Sequence, residues 1–183
     1  MISLSAGFIR SGGRVGTIPV SPESQWVFEA QIGGSGVLRA RTANWMLKAV
    51  LLDGKDVTDT ALDFGAYTGK TVELVLTQRG AQVNGTVSND RGQPVRDYVL
   101  ILFPEDEAQW TPLSRFFATG RPDQQGRVTI NNLPPGRYLA TAVEYLDPGE
   151  ERNPGMLSRL RATSTAVALT EGESRSVTLR MSR

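Results

Sequence analysis

The chain has 183 residues, with 20 basic against 19 acidic side chains and a net charge of +1. This length suits one large or two small domains, and the balanced charge provides no global field that would attract nucleic acid or a membrane surface. Because the sequence contains neither cysteine nor histidine, it excludes disulfides, thiolate nucleophiles, histidine-dependent catalytic triads and zinc sites. We therefore predict a protein that is not an enzyme and that binds no metal, cofactor or nucleic acid.

No apolar stretch approaches the length of a membrane span, and residues 1–9 lack the basic and long apolar regions of a signal peptide. These features leave two interpretations open. The protein is cytosolic, or the sequence is a mature or excised piece of a longer exported chain.

Short strands separated by turn signals are predicted for the first 80 residues. Apolar alternation or short apolar runs indicate strands at 2–9, 25–30, 37–41, 44–52 and 71–77. Pro19 and Pro22 confine their segment to a sheet edge or a loop, and Asp53-Gly54 signals a tight turn. Residues 1–80 are therefore predicted to form a first β-sandwich module.

A second module, residues 81–183, is predicted to begin after Arg79-Gly80. Its strands are expected at 81–87, 98–103, 126–131, 138–145, 167–169 and 176–181. Residues 104–118 are predicted to form a loop with an acidic start and an aromatic finish. The core of this module is predicted to centre on Val83, Val87, Leu100, Leu102, Val128, Ile130, Leu139, Val143, Val177 and Leu179. A short helix is predicted at 155–162, where Met156, Leu157 and Leu160 share a face.

The most informative pattern lies in residues 126–145. Gly126 marks a turn, a first strand alternates apolar and polar residues, and Pro134-Pro135-Gly136 interrupts it. Proline lacks a backbone donor, so the two prolines must lie outside the ladder, and Gly136 lets the chain turn back. The pattern predicts a β-hairpin whose second arm, beginning near Tyr138, is apolar on both faces like a central sandwich strand.

The two halves of the sequence can be aligned as an internal repeat. The alignment pairs the segments 2–6 with 99–103, 25–30 with 126–131, 45–54 with 139–149 and 69–76 with 173–180. It leaves no counterpart for the strand 81–87, so the first module is predicted to lack its opening strand. Three explanations stay open: the chain is a fragment, a strand from another copy completes the sheet, or the repeat is misaligned.

A set of short motifs in the second half resembles the carboxypeptidase regulatory-like domain, a prealbumin-like sandwich related in fold to Cna-B domains. The motifs are Val83-Asn-Gly-Thr-Val87, Gly92-Gln-Pro-Val95, Asp123-Gln-Gln-Gly126 and Leu133-Pro-Pro-Gly-Arg-Tyr138. Gly126, Pro135, Gly136 and Tyr138 mark the fold in this pattern. The segment 45–59 is similar to paired modules of large exported bacterial proteins.

This resemblance implies an all-β chain of two tandem prealbumin-like, Ig-like antiparallel sandwiches. It also implies a non-catalytic structural or interaction module of a longer exported bacterial protein, located outside the cell or in the cell envelope. The expected partner is another protein or further copies of the chain, joined by strand completion. The sandwich fold by itself does not define a function, because it serves many unrelated ones.

The alternative function is carbohydrate binding through loop aromatics. Trp110 is predicted to lie exposed in a loop, and Trp26 is the second candidate for stacking on a sugar ring. Asn84-Gly-Thr86 is a formal glycosylation sequon within a predicted strand. The acidic residues between positions 53 and 63 do not have the spacing of a calcium-binding loop and indicate a solvated turn.

Overall fold

The computed structural model describes residues 4–10, 15–20, 34–42, 45–67 and 69–181. The chain divides into two compact units, Met1–Gln78 and Arg79–Arg183. The sequence boundary at residue 80 lies two residues further along the chain. The regular secondary structure of the described residues is almost entirely β-strand, with one short α-helix, so the protein belongs to the all-β class.

The first unit contains two sheets within its described residues. Their strands are β1 (Leu4–Arg10), β2 (Val15–Val20), β3 (Ser35–Thr42), β4 (Met46–Leu52), β5 (Lys55–Asp56), β6 (Leu62–Asp63) and β7 (Val72–Thr77). One antiparallel sheet has the order β2-β1-β3-β6 and the other the order β5-β4-β7. The strand predicted at 25–30 lies outside the described residues.

A small apolar core forms in the first unit because alternate residues of its strands point the same way. Its buried members are Leu38, Leu47, Val50, Leu52 and Val57. Half-buried side chains of β7 pack against them, and β7 pairs along the whole of β4.

The second unit is a sandwich with a four-stranded and a three-stranded sheet. Its elements are β8 (Ala81–Ser88), β9 (Val99–Pro104), β10 (Ala118–Gly120), β11 (Arg127–Leu133), β12 (Gly136–Val143), α1 (Pro154–Arg161), β13 (Thr165–Leu169) and β14 (Ser174–Arg180). The larger sheet has the order β10-β9-β12-β13 and is antiparallel throughout. The smaller has the order β11-β8-β14, in which β8 and β14 are parallel.

The predicted β-hairpin at 126–145 is wrong, because its two arms lie in different sheets. β11 pairs with β8, whereas β12 pairs with β9 and β13. A tight hairpin turn needs positive φ at its central residues, which the fixed φ of Pro134 and Pro135 forbids. The prolines therefore carry the chain across the sandwich as an arch. The expectation that the second arm is a central strand is confirmed.

Leu139 and Val143 were predicted for the core between the sheets but lie on the outer face of the larger sheet. β12 is apolar on both faces, so its sequence did not show which face points into the sandwich. Tyr138 and Ala140 point into the sandwich, so the odd-numbered residues point outward. Eight further residues predicted for the core do lie between the sheets: Val83, Val87, Leu100, Leu102, Val128, Ile130, Val177 and Leu179.

A third layer covers the outer face of the larger sheet. Leu157 of α1 is fully buried against Val99, Ile101, Phe103 and Leu139. This layer explains why β9 is buried on both faces. The predicted helix is confirmed, and it begins where Asn153 accepts hydrogen bonds from the first backbone N–H groups of the helix.

The larger sheets of the two units each contain four described strands, and comparing their strand orders tests the alignment of the internal repeat. The orders β2-β1-β3-β6 and β10-β9-β12-β13 place β1 at the position of β9, as the alignment predicted. They place β3, and not β4, at the position of β12. β4 instead pairs with β7 in the other sheet, so that part of the alignment is wrong. Alternation alone does not tell which sheet a strand joins.

If the first unit lacks an opening strand, β7 should lack the parallel neighbour that the last strand of the second unit has. In the second unit the last strand, β14, has β8 as a parallel neighbour. Among the described strands of the first unit, β7 has only the antiparallel neighbour β4. No equivalent of β8 is therefore present in that described part, and its absence from the unit stays a prediction.

Candidate functional site in the second unit

The first and last strands of the second unit lie side by side in parallel, and we call β8 with β14 the terminal strand pair. The register runs from Ser174 opposite Gln82 to Arg180 opposite Ser88. Backbone hydrogen bonds continue to both ends of the pair, from Gln82 N to Glu173 O at 2.8 Å and from Met181 N to Ser88 O at 2.9 Å. The two ends of the unit are thus joined directly by a continuous backbone ladder.

Polar side chains on the outer face add cross-strand contacts to the terminal strand pair. The Asn84 amide donates to Ser174 Oγ at 3.0 Å, and the hydroxyls of Thr86 and Thr178 lie 3.4 Å apart. Asn84 also accepts from Thr129 of β11 at 3.1 Å. The asparagine of the sequon is therefore in a central strand with its amide already hydrogen-bonded, which is a poor setting for modification.

The inner face of the terminal strand pair is apolar. Val83, Val87, Val177 and Leu179 are buried between the sheets. One face of the terminal strand pair is therefore buried in the core, and the other is exposed to solvent. Water reaches its hydrogen bonds from one face only, which makes their exchange for bonds to water less favourable.

Arginine side chains fasten the loop 104–117 over the outer face of the larger sheet. Arg161 of α1 donates to Glu105 O and to Glu107 Oε1, both at 3.0 Å. Arg137 of β12 pairs with both carboxylate oxygens of Glu105, at 2.6 and 3.3 Å. The hydrogen bond from Arg137 lowers the pKa of Glu105 below its ordinary value.

The far end of the same loop is held by Arg152. Its guanidinium donates to Ser114 O at 2.9 Å and to Pro112 O at 3.2 Å, and it lies 4.8 Å from the centre of the Phe117 ring. Partial burial lowers the pKa of Arg152. A cation that is bonded to carbonyls and stacked on an aromatic ring holds the loop in one arrangement.

Trp110, the first predicted contact aromatic, lies in this loop but is half-buried. Its indole N–H donates to Pro104 O at 2.8 Å, and its ring packs edge-on against Phe103 with centroids 5.9 Å apart. The indole donor is therefore already engaged, and its ring already packs against a neighbouring aromatic side chain. Trp26, the second candidate, lies outside the described residues.

Tyr145, which no sequence motif marks as a contact residue, is 68% exposed. Its hydroxyl donates to Asp147 Oδ1 at 2.8 Å, and this hydrogen bond is the main reason that the pKa of Tyr145 is raised. In the sequence, Tyr145 lies between an apolar strand and the turn at Asp147-Pro148-Gly149. That position does not indicate whether a tyrosine side chain is exposed or buried.

The fold-marking residues lie around the arch and the turn that precedes β11. Gly126 has φ of 78°, and its carbonyl accepts from the buried Tyr98 hydroxyl at 2.9 Å. The Tyr138 hydroxyl donates to Pro134 O at 2.7 Å, and Pro135 follows directly. The ring of Phe116 lies against Gly136.

The acidic residues of the first unit are engaged in local contacts. Asp53 pairs with Lys70 at 3.0 Å, and Asp59 with Arg39 at 3.1 Å. Asp56 accepts from Thr58 N at 2.9 Å, and Asp63 from Gly65 N at 3.1 Å. Within the described residues, no group of three or more acidic side chains is placed to hold a metal ion.

The described part of the chain contains no helix that is long and apolar enough to cross a membrane. No protein-family model matches the sequence, and no curated protein matches it.

Several solved structures are similar to the chain at low identity. The minor pilin GBS52 of Streptococcus agalactiae is 12% identical over 99% of this chain and 82% of its own, with a TM-score of 0.38. The TIE protein of Bacillus anthracis is 10% identical over 99% of this chain and 34% of its own, with a TM-score of 0.37. A proposed carbohydrate-binding protein of Pseudomonas aeruginosa is 14% identical over 57% of this chain and 91% of its own, also with a TM-score of 0.37. These likenesses are too distant to indicate a function.

Proposed function

We propose that the chain is a non-catalytic structural module of an exported bacterial protein, located at the cell surface or in the envelope. In this role the second unit transmits mechanical load between the segments attached to its two ends. The terminal strand pair is the observation that carries the proposal. The carboxypeptidase regulatory-like motifs support the same function, and we propose membership of that domain family for the second unit.

The relative direction of β8 and β14 determines how the unit responds to force. Force applied at the ends of the unit pulls β8 and β14 in opposite directions along their common axis, because the two strands are parallel. The bonds between them are then loaded together, whereas the bonds of a hairpin pulled at its open end break one at a time. A shear-loaded ladder must lose several hydrogen bonds in one step, and each is worth roughly 0.5–1.5 kcal/mol. Unfolding under load is therefore slow.

Single-molecule force spectroscopy of the full chain between marker domains tests this proposal. We expect the second unit to unfold in one high-force step that releases roughly 330–360 Å of chain, the extended length of about 100 residues. Forced unfolding is governed by the unfolding rate, so the force reports the barrier directly.

Two proline substitutions in β14 provide a matched comparison. Met181 N donates to Ser88 O, so by period-two alternation the Arg175 N–H faces β8 and the Ser176 N–H faces away. Arg175→Pro removes a hydrogen bond of the terminal strand pair and should lower the unfolding force, while Ser176→Pro should leave it nearly unchanged. Equal unfolding forces for the two variants would contradict a mechanical role of the terminal strand pair.

Glycan binding is the second candidate function, and Tyr145 favours it because its ring is exposed and its hydroxyl is hydrogen-bonded to Asp147. An aromatic side chain fixed in place loses little entropy on stacking against a sugar ring. A glycan array should then give saturable binding that is lost in Tyr145→Ala or Trp110→Ala. Binding lost only in Tyr145→Ala would move the proposed contact away from Trp110, and no binding at all would reject the function.

A further inference from the structure

β13 forms one edge of the larger sheet in the second unit. It pairs with β12 from Gly136 opposite Leu169 to Ala140 opposite Thr165. Within residues 79–181 no strand lies on its other side. Every second residue of a strand points its N–H and C=O groups away from its neighbour, so β13 presents a row of backbone donors and acceptors for another strand.

The edge at β13 lacks the features that usually protect such edges. Its sequence, Thr165-Ala-Val-Ala-Leu169, contains no charge and no proline, and its pairing with β12 has no register shift. Val167 and Leu169 are buried, whereas Thr165, Ala166 and Ala168 are exposed. The strand therefore has no bulge in its pairing with β12, small side chains on its outer face and no charge.

The other edges of the same unit are protected. β14 carries Arg175 and Arg180. β11 has a register shift between Ile130 and Leu133, and β10 is only three residues long. Charges, bulges and short length are the devices by which proteins prevent edge pairing. β13 is thus the edge within the described part of this unit that is suited to pair.

We propose that β13 pairs antiparallel with β13 of a second copy of this chain about a two-fold axis. The two four-stranded sheets would then form one eight-stranded sheet. Pairing centred on Val167 places each Ala166 opposite the other copy's Ala168 and each Thr165 opposite the other Leu169. β13 of a second copy is suited to this edge because it also contains no charge and no proline. A self-complementary contact about a two-fold axis uses the same surface on both copies, so association ends at a dimer.

The dimer is expected to be weak, because only five residues of each strand pair. Interfaces below about 1,200 Å² are typical of transient association. Sedimentation velocity of the full chain should therefore detect a monomer–dimer equilibrium whose dimer fraction rises with protein concentration.

Paired charge substitutions test the position of the contact. Ala166→Lys combined with Ala168→Lys sets like charges opposite each other across the two-fold axis and should weaken dimerisation at least tenfold. The control, Ser176→Lys combined with Thr178→Lys, adds the same charge to the exposed face of β14 and should leave dimerisation unchanged. Circular dichroism and thermal unfolding establish that each variant is folded.

A complementary pair completes the test. Ala166→Glu combined with Ala168→Glu should also be monomeric by itself, and mixing it with the lysine variant should restore a heterodimer. The proposal is overturned by a wild-type chain that stays monomeric at high concentration, by association that continues beyond a dimer, or by a control that dissociates as fully as the β13 variant.

Discussion

Single side chains fix the crossing between the two sheets of the second unit. Tyr138 is fully buried, and its hydroxyl satisfies the carbonyl of Pro134 in the arch. Tyr98 does the same for the carbonyl of Gly126 in the turn before β11. Two buried phenols therefore satisfy the two backbone carbonyls that flank β11. Without a partner, a buried carbonyl costs more free energy than a typical hydrogen bond contributes.

Tyr138→Phe tests this contact with little change in volume. We expect a loss of roughly 1–3 kcal/mol in the free energy of unfolding, because the Pro134 carbonyl keeps its burial and loses this donor. Urea denaturation followed by circular dichroism measures the loss. Tyr145→Phe, which removes an exposed hydroxyl, is the control and should change stability far less; equal losses would contradict the role of the arch contact.

Leu102→Ala tests the core between the sheets. Leu102 is fully buried, so the substitution should lower the free energy of unfolding by roughly 2–5 kcal/mol through lost transfer energy and the remaining cavity. Denaturant titration gives the value. A loss below about half a kcal/mol would mean that this side chain contributes little to a packed core.

At the element scale, the larger sheet of the second unit is buried on both faces of its central strands. β9 and β12 contact the sandwich core on one side and α1 on the other. The helix is held by its own apolar face and by Arg161, which binds the loop that follows β9. The third layer is therefore part of the folded unit.

Leu157→Ala measures how strongly this layer is packed. Its side chain is completely buried against the outer face of the sheet, so we expect a loss of roughly 2–5 kcal/mol in the free energy of unfolding. Ser158→Ala, on the exposed side of the same helix, serves as the control for helix propensity. A small loss at Leu157 accompanied by loss of helical signal alone would indicate a layer that unfolds separately from the sandwich.

For the molecule as a whole, we expect acid to lower stability by protonating carboxylates that bind arginine or backbone N–H groups in the folded state. The hydrogen bond from Arg137 lowers the pKa of Glu105, and the bond from the Thr170 N–H lowers the pKa of Glu173. A folded-state pKa below the unfolded value means that the unfolded chain binds the proton more tightly. The stabilisation is then present above the unfolded pKa of about 4.3 and is lost as pH falls through the folded value.

Glu105→Gln with Glu173→Gln should flatten this acid dependence. The wild-type free energy of unfolding should fall between about pH 5 and pH 2, and the double variant should show a shallower slope over the same interval. Urea titrations at a series of pH values measure both slopes. Identical slopes would show that other carboxylates determine the acid sensitivity.

The fold class, most strand positions, the short helix and the central place of β12 were predictable from the sequence alone. These follow from local rules, because the period of apolar residues reports which faces of an element are buried. The sheet that each strand joins was not predictable from the sequence, as β4 and the arch at Pro134-Pro135 illustrate. A strand with two apolar faces fits either sheet, because apolar alternation does not identify the neighbouring strand.

Contacts between distant segments, including those on which the proposed function depends, are set by the tertiary fold. The terminal strand pair brings together Asn84 and Ser174, which are 90 residues apart in sequence. The outward position of Leu139 and the exposure of Tyr145 depend on what the helix and the loops cover. Each depends on how distant segments pack together. Whether a side chain is buried depends on which other segment covers it, and the local sequence does not specify that segment.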